Sequence, residues 1–366
     1  MAVNANGSAN GSAHGSDNKG LLAIMSEKRH ATIDQVAKTA GVSIQTVSRV
    51  LNNRPDVSSE TRQRVQQVIE ELSYQPFAIA RGLASKRTYT LGLIASDFTD
   101  YWFAQVVNSA EKEVRTHGYF FMLGSTECDL QDEPKYLRLL TERHVEGILF
   151  IRASHPDDME ILRNITQSGI PVVTTGIYLP GSEFSFIEVD NVDGGKKATQ
   201  YLIDLGHTQI AMITGPSELL AAQNRTQGYQ QALESASIPV DPRLIVHGEA
   251  WLHRSGYYAM KELLGRKQPF TAVFAQNDRL AKGAISALNE AGLKVPLDVS
   301  IIGYDDIPEA EFDAPPLTTM HQPMEEVGKA AASLLIKLIE DPNTTPQQLL
   351  FNTELVIRSS CAPLQK

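Results

Sequence analysis

Apolar residues recur at helical spacing near the start of the chain, where residues 31–51 read ATIDQVAKTAGVSIQTVSRVL. The first apolar stripe ends at Gly41, where a left-handed residue can end a helix without steric cost. Ser43 is then a suitable cap for a second helix over Ile44–Leu51. This segment combines a small residue where the two helices touch, a glycine at the turn and an apolar residue that faces inward. The combination predicts a helix-turn-helix, although any pair of short helices around a glycine shows a similar pattern.

Two further helical patterns follow this pair. Apolar residues at helical spacing after Ser58 predict a third helix, which completes a head over residues 29–74. Residues 75–88 predict a helix too short to be stable alone, and Gly82 weakens it further. This segment is either a plain linker or a hinge helix that folds only against DNA and inserts Leu83 into the minor groove.

From residue 90 onward, nine short apolar runs alternate with amphipathic segments, from LGLIA at 91 to VSIIGY at 299. This alternation predicts an α/β body with parallel sheets and crossover helices. Nine strands exceed one comfortable sheet, so we expect two sub-domains with a ligand-binding cleft beyond the carboxyl ends of their strands. The expected division is 89–189 plus 320–342 for the first sub-domain, 190–319 plus 343–360 for the second, and 361–366 for a tail.

The distribution of charge along the chain supports this division into a head and a body. The 366 residues carry a formal net charge of −10, but residues 28–88 hold ten Lys/Arg against five Asp/Glu, a net charge of +5. The remaining residues 89–366 have a net charge of −14. A basic head on an acidic body is typical of a DNA-binding protein. Residues 1–28, rich in Asn, Gly, Ser and Ala, predict a disordered tail.

Several classes of protein fit the sequence poorly. Cys128 and Cys361 lie far apart, which indicates neither a disulfide framework nor a zinc site. We find no membrane-spanning run and no export signal, so we expect a soluble cytoplasmic protein with no membrane partner. No phosphate-binding loop or catalytic motif follows any predicted strand, so we expect a protein that is not an enzyme and needs no cofactor. A solute-binding protein or an α/β enzyme sharing the body fold is the competing class.

The outward face of the second helix carries residues that suit base recognition. Gln45 can pair with adenine, Arg49 can pair with guanine or a phosphate, and Ile44 can touch a thymine methyl group. Lys and Glu pairs, which usually fill a solvated face, are absent from this helix.

The segments VSIQTVSRVLNN, VSSETRQRV, LSYQP and ARGLASKRTYTLGLI together closely resemble the LacI/GalR family of bacterial transcription repressors. The resemblance extends from Ala31 to about Ser360 and includes IIGYDDIPEAEFDAPPLTTMHQP in the body. It implies a head that reads a half-site in the major groove, hinge helices that open the centre of a palindromic operator, and a two-lobed body of the type I periplasmic-binding-protein-like fold. The DNA-binding residues expected on these grounds are Thr32, Ser43, Ile44, Gln45, Thr46, Ser48, Arg49, Asn52, Leu83 and Lys86.

Aromatic residues near the expected cleft are candidates for stacking on a ligand. Trp102 and Phe103 begin a helix after the first body strand, where they either stack on a sugar face or pack the helix onto the sheet. Trp251 lies between a strand and a helix, where the resemblance implies an aromatic ligand contact.

Polar candidates for the effector site follow other strands. A cation on the N-terminal turn of a helix is electrostatically misplaced, which suggests a partner for Arg225, and the resemblance puts this residue in an effector pocket. Asn277 and Asp305 match positions where the family holds ligand hydroxyls, and Asp306 is expected to order its loop. Asp193 either caps the helix that follows it or binds ligand hydroxyls.

The sequence therefore predicts a transcription regulator, expected to be a repressor, that binds double-stranded operator DNA. Its expected effector is a sugar, polyol or sugar acid, with a nucleobase as the less favoured choice. The residues after the last strand contain no leucine heptads for a tetramer, so we expect a homodimer.

Overall fold

The computed structural model describes residues 31–51, 53–74, 87–126, 133–151, 163, 165–176 and 184–364. The chain divides into two compact units, Met1–Arg87 and Thr88–Lys366. The predicted tail and residues 75–86 of the predicted hinge lie outside the described residues.

The described part of the head consists of three helices, α1 (Ile33–Ala40), α2 (Ile44–Leu51) and α3 (Ser59–Glu71). Gly41 ends α1 with φ of 66°, the left-handed conformation that the sequence predicted. Ser58 caps α3 by accepting a hydrogen bond from the Thr61 N–H. The helices enclose a small apolar core that includes Val36, Val47 and Val65, all fully buried, so the predicted helix-turn-helix head is confirmed.

The body begins with a six-stranded parallel sheet in the order β11-β5-β4-β3-β1-β2. Its strands are β1 (Thr90–Ala95), β2 (Phe120–Ser125), β3 (Ile148–Ile151), β4 (Val172–Thr175), β5 (Ser185–Val189) and β11 (Gln348–Phe351). The helices of this part are α4 (Tyr101–Thr116), α5 (Glu133–Glu142) and α10 (Met324–Glu340). Strands β1, β3, β4 and β5 are buried throughout, and the strand ILFI of β3 is accordingly a continuous apolar run.

A second parallel sheet has four strands in the order β7-β6-β8-β9. These strands are β6 (Ile210–Thr214), β7 (Ile245–His247), β8 (Ala272–Ala275) and β9 (Ser300–Ile302). The accompanying helices are α6 (Asn191–Asp204), α7 (Leu220–Ser235), α8 (His253–Gly265) and α9 (Asp278–Glu290). All nine strands predicted from the apolar runs are therefore present, and the predicted α/β class is confirmed.

The end of the chain is shared between sheets, contrary to the prediction that residues 343–360 belong to the second sub-domain. Strand β11 pairs in parallel with β5 of the six-stranded sheet. Strands β10 (Thr319–His321) and β12 (Glu354–Val356) form a separate antiparallel pair. Helix α10 packs on the first sheet. Only residues 341–347 separate α10 from β11, so the chain pairs with the β5 edge of that sheet before it crosses to the second one.

Helices α6 and α7 of the body approach each other at two glycines. A Cβ on Gly228 of α7 would lie 2.1 Å from the Val192 carbonyl oxygen of α6, and a Cβ on Gly195 of α6 would lie 2.4 Å from the Arg225 carbonyl oxygen. This backbone contact fixes α7 against α6 and thereby the position of Arg225. Among the described helices, none has the combination of length and apolarity that crossing a bilayer requires.

Candidate DNA-reading helix and effector cavity

Helix α2 presents one apolar face to the head core and one polar face to solvent. Val47 and Val50 are buried, whereas Ile44, Gln45 and Arg49 are exposed. Ile44 is a large apolar side chain left 47% exposed. The outward face therefore combines an apolar side chain with an amide and a guanidinium, residue types that can contact base edges.

The start of α2 is held by local hydrogen bonds. The Ser43 hydroxyl accepts a hydrogen bond from the Thr46 N–H at 3.1 Å and lies 2.9 Å from the Thr46 hydroxyl. Ser43 therefore caps α2 as predicted. Both side chains are already engaged within the turn, so they order the N-terminal end of the helix, which is the end that contacts bases in helix-turn-helix proteins.

Arg49 lies later on the exposed face of α2. Its Nη1 atom is 3.5 Å from Asp56 Oδ2, and both side chains are about half exposed. An ion pair this exposed contributes little to stability. Arg49 can therefore exchange its carboxylate partner for a DNA group at small cost.

The remaining predicted DNA-binding positions fall into two sets. Thr32 forms a capping box with Gln35, in which each residue's side chain accepts from the other's backbone N–H. Ser48 is half-buried on α2. Asn52, Leu83 and Lys86 lie outside the described residues.

A cavity of about 600 Å³, open to solvent, lies in the body beyond the carboxyl ends of both parallel sheets. Six of the seven predicted effector-binding residues line it: Trp102, Phe103, Arg225, Trp251, Asn277 and Asp305. The sequence predictions thus include six of the thirteen described residues that line the cavity.

Arg225 is the central cation of the cavity. Its side chain is only 7% exposed, its Nε donates to Asn191 Oδ1 at 2.8 Å, and its Nη1 donates to the Gln276 carbonyl oxygen. The prediction that it lies on the first turn of a helix was wrong, because α7 begins at Leu220 and Arg225 is in its second turn. Its position in the cavity is set by these hydrogen bonds.

Asp305 lies opposite this cation, with Oδ1 3.8 Å from Arg225 Nη1. The same oxygen accepts a hydrogen bond from Gln322 Nε2 at 2.6 Å. Burial raises the pKa of Asp305 to about 7, Arg225 opposes that shift, and the nearby Asp100 carboxylate adds to it. Asp305 adopts φ of 111°, a backbone conformation that side chains rarely take.

Asp278 and Asp306 support the backbone around Asp305. The fully buried Asp278 accepts hydrogen bonds from the Ile307 N–H and the Thr319 hydroxyl. Asp306 accepts a hydrogen bond from Arg358 at 2.7 Å and lies 3.0 Å from His321 Nδ1. These contacts agree with the expectation that Asp306 orders its loop.

The aromatic residues of the cavity come from both parts of the body. Trp102 and Phe103 meet edge to face, with ring centroids 5.1 Å apart and an interplanar angle of 89°. They also pack against the core of the first sheet, as the packing alternative predicted, and stacking on a ligand stays a prediction. Trp251 follows β7 and lies against Gly215, where a Cβ would come within 2.3 Å of the indole ring.

Asn277 has two structural partners besides its place in the lining. Its Oδ1 caps α9 by accepting from the Leu280 N–H at 2.8 Å, and its Nδ2 donates to the Trp251 carbonyl oxygen at 3.3 Å. Asn277 therefore ties the loop that carries Trp251 to the end of β8.

Asp193 is the predicted effector residue that does not line the cavity. Helix α6 begins at Asn191, before Asp193, and its cap is Asp190, which accepts a hydrogen bond from the Asp193 N–H at 2.9 Å. Asp193 thus falls within the first turn and forms an ion pair with Lys197 at 2.6 Å. The cap is therefore three residues earlier than the Asp193 that was predicted. Asp193 is not among the residues that line the cavity.

Four polar lining residues were not predicted: Asp100, Glu188, Asn191 and Gln322. Asp100 caps α4 and lies 3.6 Å from Arg279, and burial raises its pKa. The signal for Glu188 was present in the sequence, because a glutamate inside the apolar run FIEV is an ionisable residue on a buried strand.

A helix-turn-helix head joined to an α/β body with a polar cavity beyond its strand ends defines the class of ligand-controlled transcription regulators. The profile described as "Bacterial regulatory proteins, lacI family" matches residues 32–76. A second profile, "Periplasmic binding protein-like domain", matches residues 199–361.

Similar proteins agree with this class. The HTH-type transcriptional regulator DegA of Bacillus subtilis (strain 168) is 39% identical over 335 residues, covering 91% of this chain and 98% of DegA. A structure of the transcriptional regulator CelR in complex with cellobiose is 34% identical with a TM-score of 0.70, covering 90% of this chain and 100% of that one. The lac repressor dimer bound to operator and the anti-inducer ONPF is 26% identical with a TM-score of 0.85, covering 91% and 100%.

The chain therefore belongs to the LacI family of bacterial regulatory proteins. It is a DNA-binding transcriptional regulator controlled by a small-molecule effector. The resemblance read from the sequence is confirmed.

Proposed function

We propose that the protein is a homodimeric repressor that binds a palindromic operator and responds to a sugar, polyol or sugar acid. The observation that carries the proposal is the cavity in which Arg225 is held by Asn191 and Gln276 next to Asp305. A guanidinium and a carboxylate beside aromatic rings suit the hydroxyls and the apolar faces of a carbohydrate. The cellobiose bound by the similar CelR supports a sugar.

Exposed apolar side chains of the body support the homodimer. On the edge strand β2, Phe120 and Leu123 are 54% and 55% exposed, while Tyr258 on α8 and Phe312 are 62% and 82% exposed. The two exposed side chains on the edge strand β2 favour a partner that covers this edge. The similar lac repressor is a dimer on its operator, and a two-fold dimer presents two α2 helices to two half-sites.

We assign the reading of DNA bases to the outward face of α2. Its exposed Ile44, Gln45 and Arg49 can contact base edges, while Ser43 and Thr46 order the end of the helix that enters the groove. Thr32, Ser48, Asn52 and Lys86 are proposed to contact the backbone or neighbouring bases, and Leu83 is proposed as the minor-groove wedge.

The body is proposed to bind its ligand without transforming it. The similar proteins are transcriptional regulators. In the cavity, Asp305 accepts from Gln322, and Asp100 caps a helix and faces Arg279. Those contacts give both carboxylates binding and structural roles.

Fluorescence anisotropy of the full-length protein on a palindromic operator tests the proposal. The measurement is repeated at several salt concentrations and with a panel of neutral sugars, polyols, amino sugars and sugar acids. We expect sequence-specific binding that one compound strengthens or weakens. Salt-steep binding with no preference for the operator over random DNA, unaffected by every compound, would contradict it.

A further inference from the structure

Glu188 brings an unusual buried carboxyl group to the effector cavity. It lies on β5, is 5% exposed and lines the cavity. Its Oε1 accepts from the Val189 N–H at 2.9 Å and from Asn191 Nδ2 at 3.4 Å. Its Oε2 is buried and has no hydrogen-bond partner among the described residues, although the Gly176 N–H also favours the ionised carboxyl group. In the ionised form a buried oxygen without a donor is costly, so a donor from a bound molecule would stabilise that form.

The charges around the cavity restrict which molecule can supply that donor. Among the residues that the structure describes, three carboxyl groups line the cavity, those of Asp100, Glu188 and Asp305, and Arg225 is the cation that lines it with them. Arg225 already donates to Asn191 and Gln276. These two bonds use part of the five N–H donors of Arg225, and a ligand carboxylate bound to the others would lie among three carboxyl groups whose ionised forms repel it.

We infer that the cavity takes an uncharged or amine-bearing polyhydroxylated compound, and that Glu188 Oε2 accepts a hydrogen bond from one of its hydroxyl or ammonium groups. The inference rests on the proposed function and narrows its effector class by removing sugar acids. It also makes Glu188 a specificity-determining residue of the cavity.

The protonation behaviour of the lining supports this choice. Burial raises the pKa of Glu188 to about 7, although the N–H groups of Val189 and Gly176, the Arg225 cation and Asn191 all favour its ionised form. The pKa of Asp305 is also raised to about 7. A site in which carboxyl groups already resist ionisation disfavours another negative charge, whereas a donor group would favour the ionised Glu188.

The test compares sugars matched in stereochemistry and differing in charge. Glucose, galactose and cellobiose are the neutral probes, glucosamine and galactosamine the amine-bearing ones, and glucuronic and galacturonic acid the acidic ones. The two tryptophans of the chain, Trp102 and Trp251, both line the cavity. Intrinsic fluorescence of the full-length protein therefore reports binding directly, and operator anisotropy reports the response.

The variant Glu188→Gln tests the role of the residue. Since Val189 and Asn191 donate to Oε1, the amide oxygen of glutamine keeps that position and its NH₂ group replaces the acceptor Oε2. We expect the Kd of the responding neutral or amine-bearing compound to rise about 10- to 100-fold. The Kd of the acidic analogues should stay the same or fall. Glu234→Gln on the exposed side of α7 is the matched control, with unchanged Kd. Operator affinity without effector and the unfolding midpoint show that each variant is folded.

The outcomes separate the inference from the function on which it rests. A sugar acid that binds the native protein best and controls operator binding would leave the proposed function intact and overturn this inference. An unchanged Kd for the responding compound in Glu188→Gln would overturn the role of Glu188. A full panel that alters neither fluorescence nor operator binding would overturn the proposed carbohydrate effector and the inference together.

Discussion

The guanidinium carbon of Arg225 lies 3.7 Å from the centre of the Tyr304 ring. The tyrosine is fully buried and directly precedes Asp305, so this contact joins α7 to the loop after β9 inside the body. The Trp251 ring centre is 5.4 Å from the same guanidinium carbon. A planar cation between two rings and two acceptors is fixed in orientation before any ligand binds, and such preorganisation favours affinity.

Replacement of Arg225 by lysine tests that preorganisation. Arg225→Lys keeps the charge but loses the planar group that stacks on Tyr304 and donates to Asn191 and Gln276. We expect the effector response to weaken by at least about tenfold while effector-free operator binding is retained. Anisotropy titrations with the responding compound measure both. Arg243→Lys, at an exposed ion pair with Asp241, is the control. If Arg225→Lys responds to the effector as the native protein does, the planar guanidinium of Arg225 is not required for effector binding.

Arg49→Ala should weaken operator binding by about 1 to 3 kcal/mol if Arg49 reads a base. Binding to random DNA should change little, because a base contact contributes only to the specific complex. The control Asp56→Ala removes the carboxylate that lies 3.5 Å from Arg49 in the free protein. Operator affinity in Asp56→Ala should be unchanged or slightly higher. An equal loss on operator and random DNA in Arg49→Ala would instead identify a phosphate contact.

The glycine contact between α6 and α7 predicts a loss of stability. In Gly228→Ala the new Cβ would meet the Val192 carbonyl oxygen at 2.1 Å and the Lys196 nitrogen at 2.6 Å, and these backbone atoms cannot rotate away. Separation of the helices should cost about 1 to 3 kcal/mol of unfolding free energy, measured by urea denaturation. Effector affinity should fall as well, since α7 carries Arg225.

Gly265→Ala at the end of α8 is the matched control, because nothing lies within 4 Å of the new Cβ. That variant should be neutral or more stable by up to about 1 kcal/mol. Equal stability of the two variants would show that α6 and α7 can separate freely.

The fold could be predicted from the sequence because local patterns and tertiary burial agree along most of the chain. Continuous apolar runs such as ILFI in β3 become strands buried on both faces, and Gly41 ends α1 in the conformation its position requires. The predicted division into sub-domains was wrong for β11, because the position of this strand depends on which neighbouring strand it pairs with. Strand β11 has no sequence feature that chooses between two sheets, and the short connection from α10 decides for β5.

The candidate site was predictable to the extent that its residues follow strands in recognisable motifs. Arg225 and Asp305 were found through the family resemblance, and the structure brings them within 3.8 Å of each other. Asp193 was misplaced because two aspartates precede the same helix, and either can be its cap from spacing alone. Asp190 is the cap. The glutamate inside the apolar run FIEV was a signal for Glu188, but its place at the cavity and its oxygen without a donor depend on the tertiary fold.

Glu188 should also make the stability of the body depend on pH. Burial raises its pKa from 4.5 to about 7 in the folded protein. Between these values the folded chain holds a proton that the unfolded chain has released, so folding is favoured most below about pH 4.5. This contribution, on the order of 2 to 3 kcal/mol, is lost as the pH rises through 7.

The comparison of native protein with Glu188→Gln isolates this contribution, because glutamine does not titrate and the other ionisable groups are common to both proteins. Urea denaturation followed by the fluorescence of Trp102 and Trp251 measures the body at pH 5 and pH 8. We expect the native protein to lose about 2 to 3 kcal/mol more stability than the variant over this interval. A saturating effector that donates to Glu188 should favour the ionised form and reduce the loss. Parallel pH profiles of the two proteins would mean that Glu188 is already ionised at pH 5, with its second oxygen satisfied by solvent in the cavity.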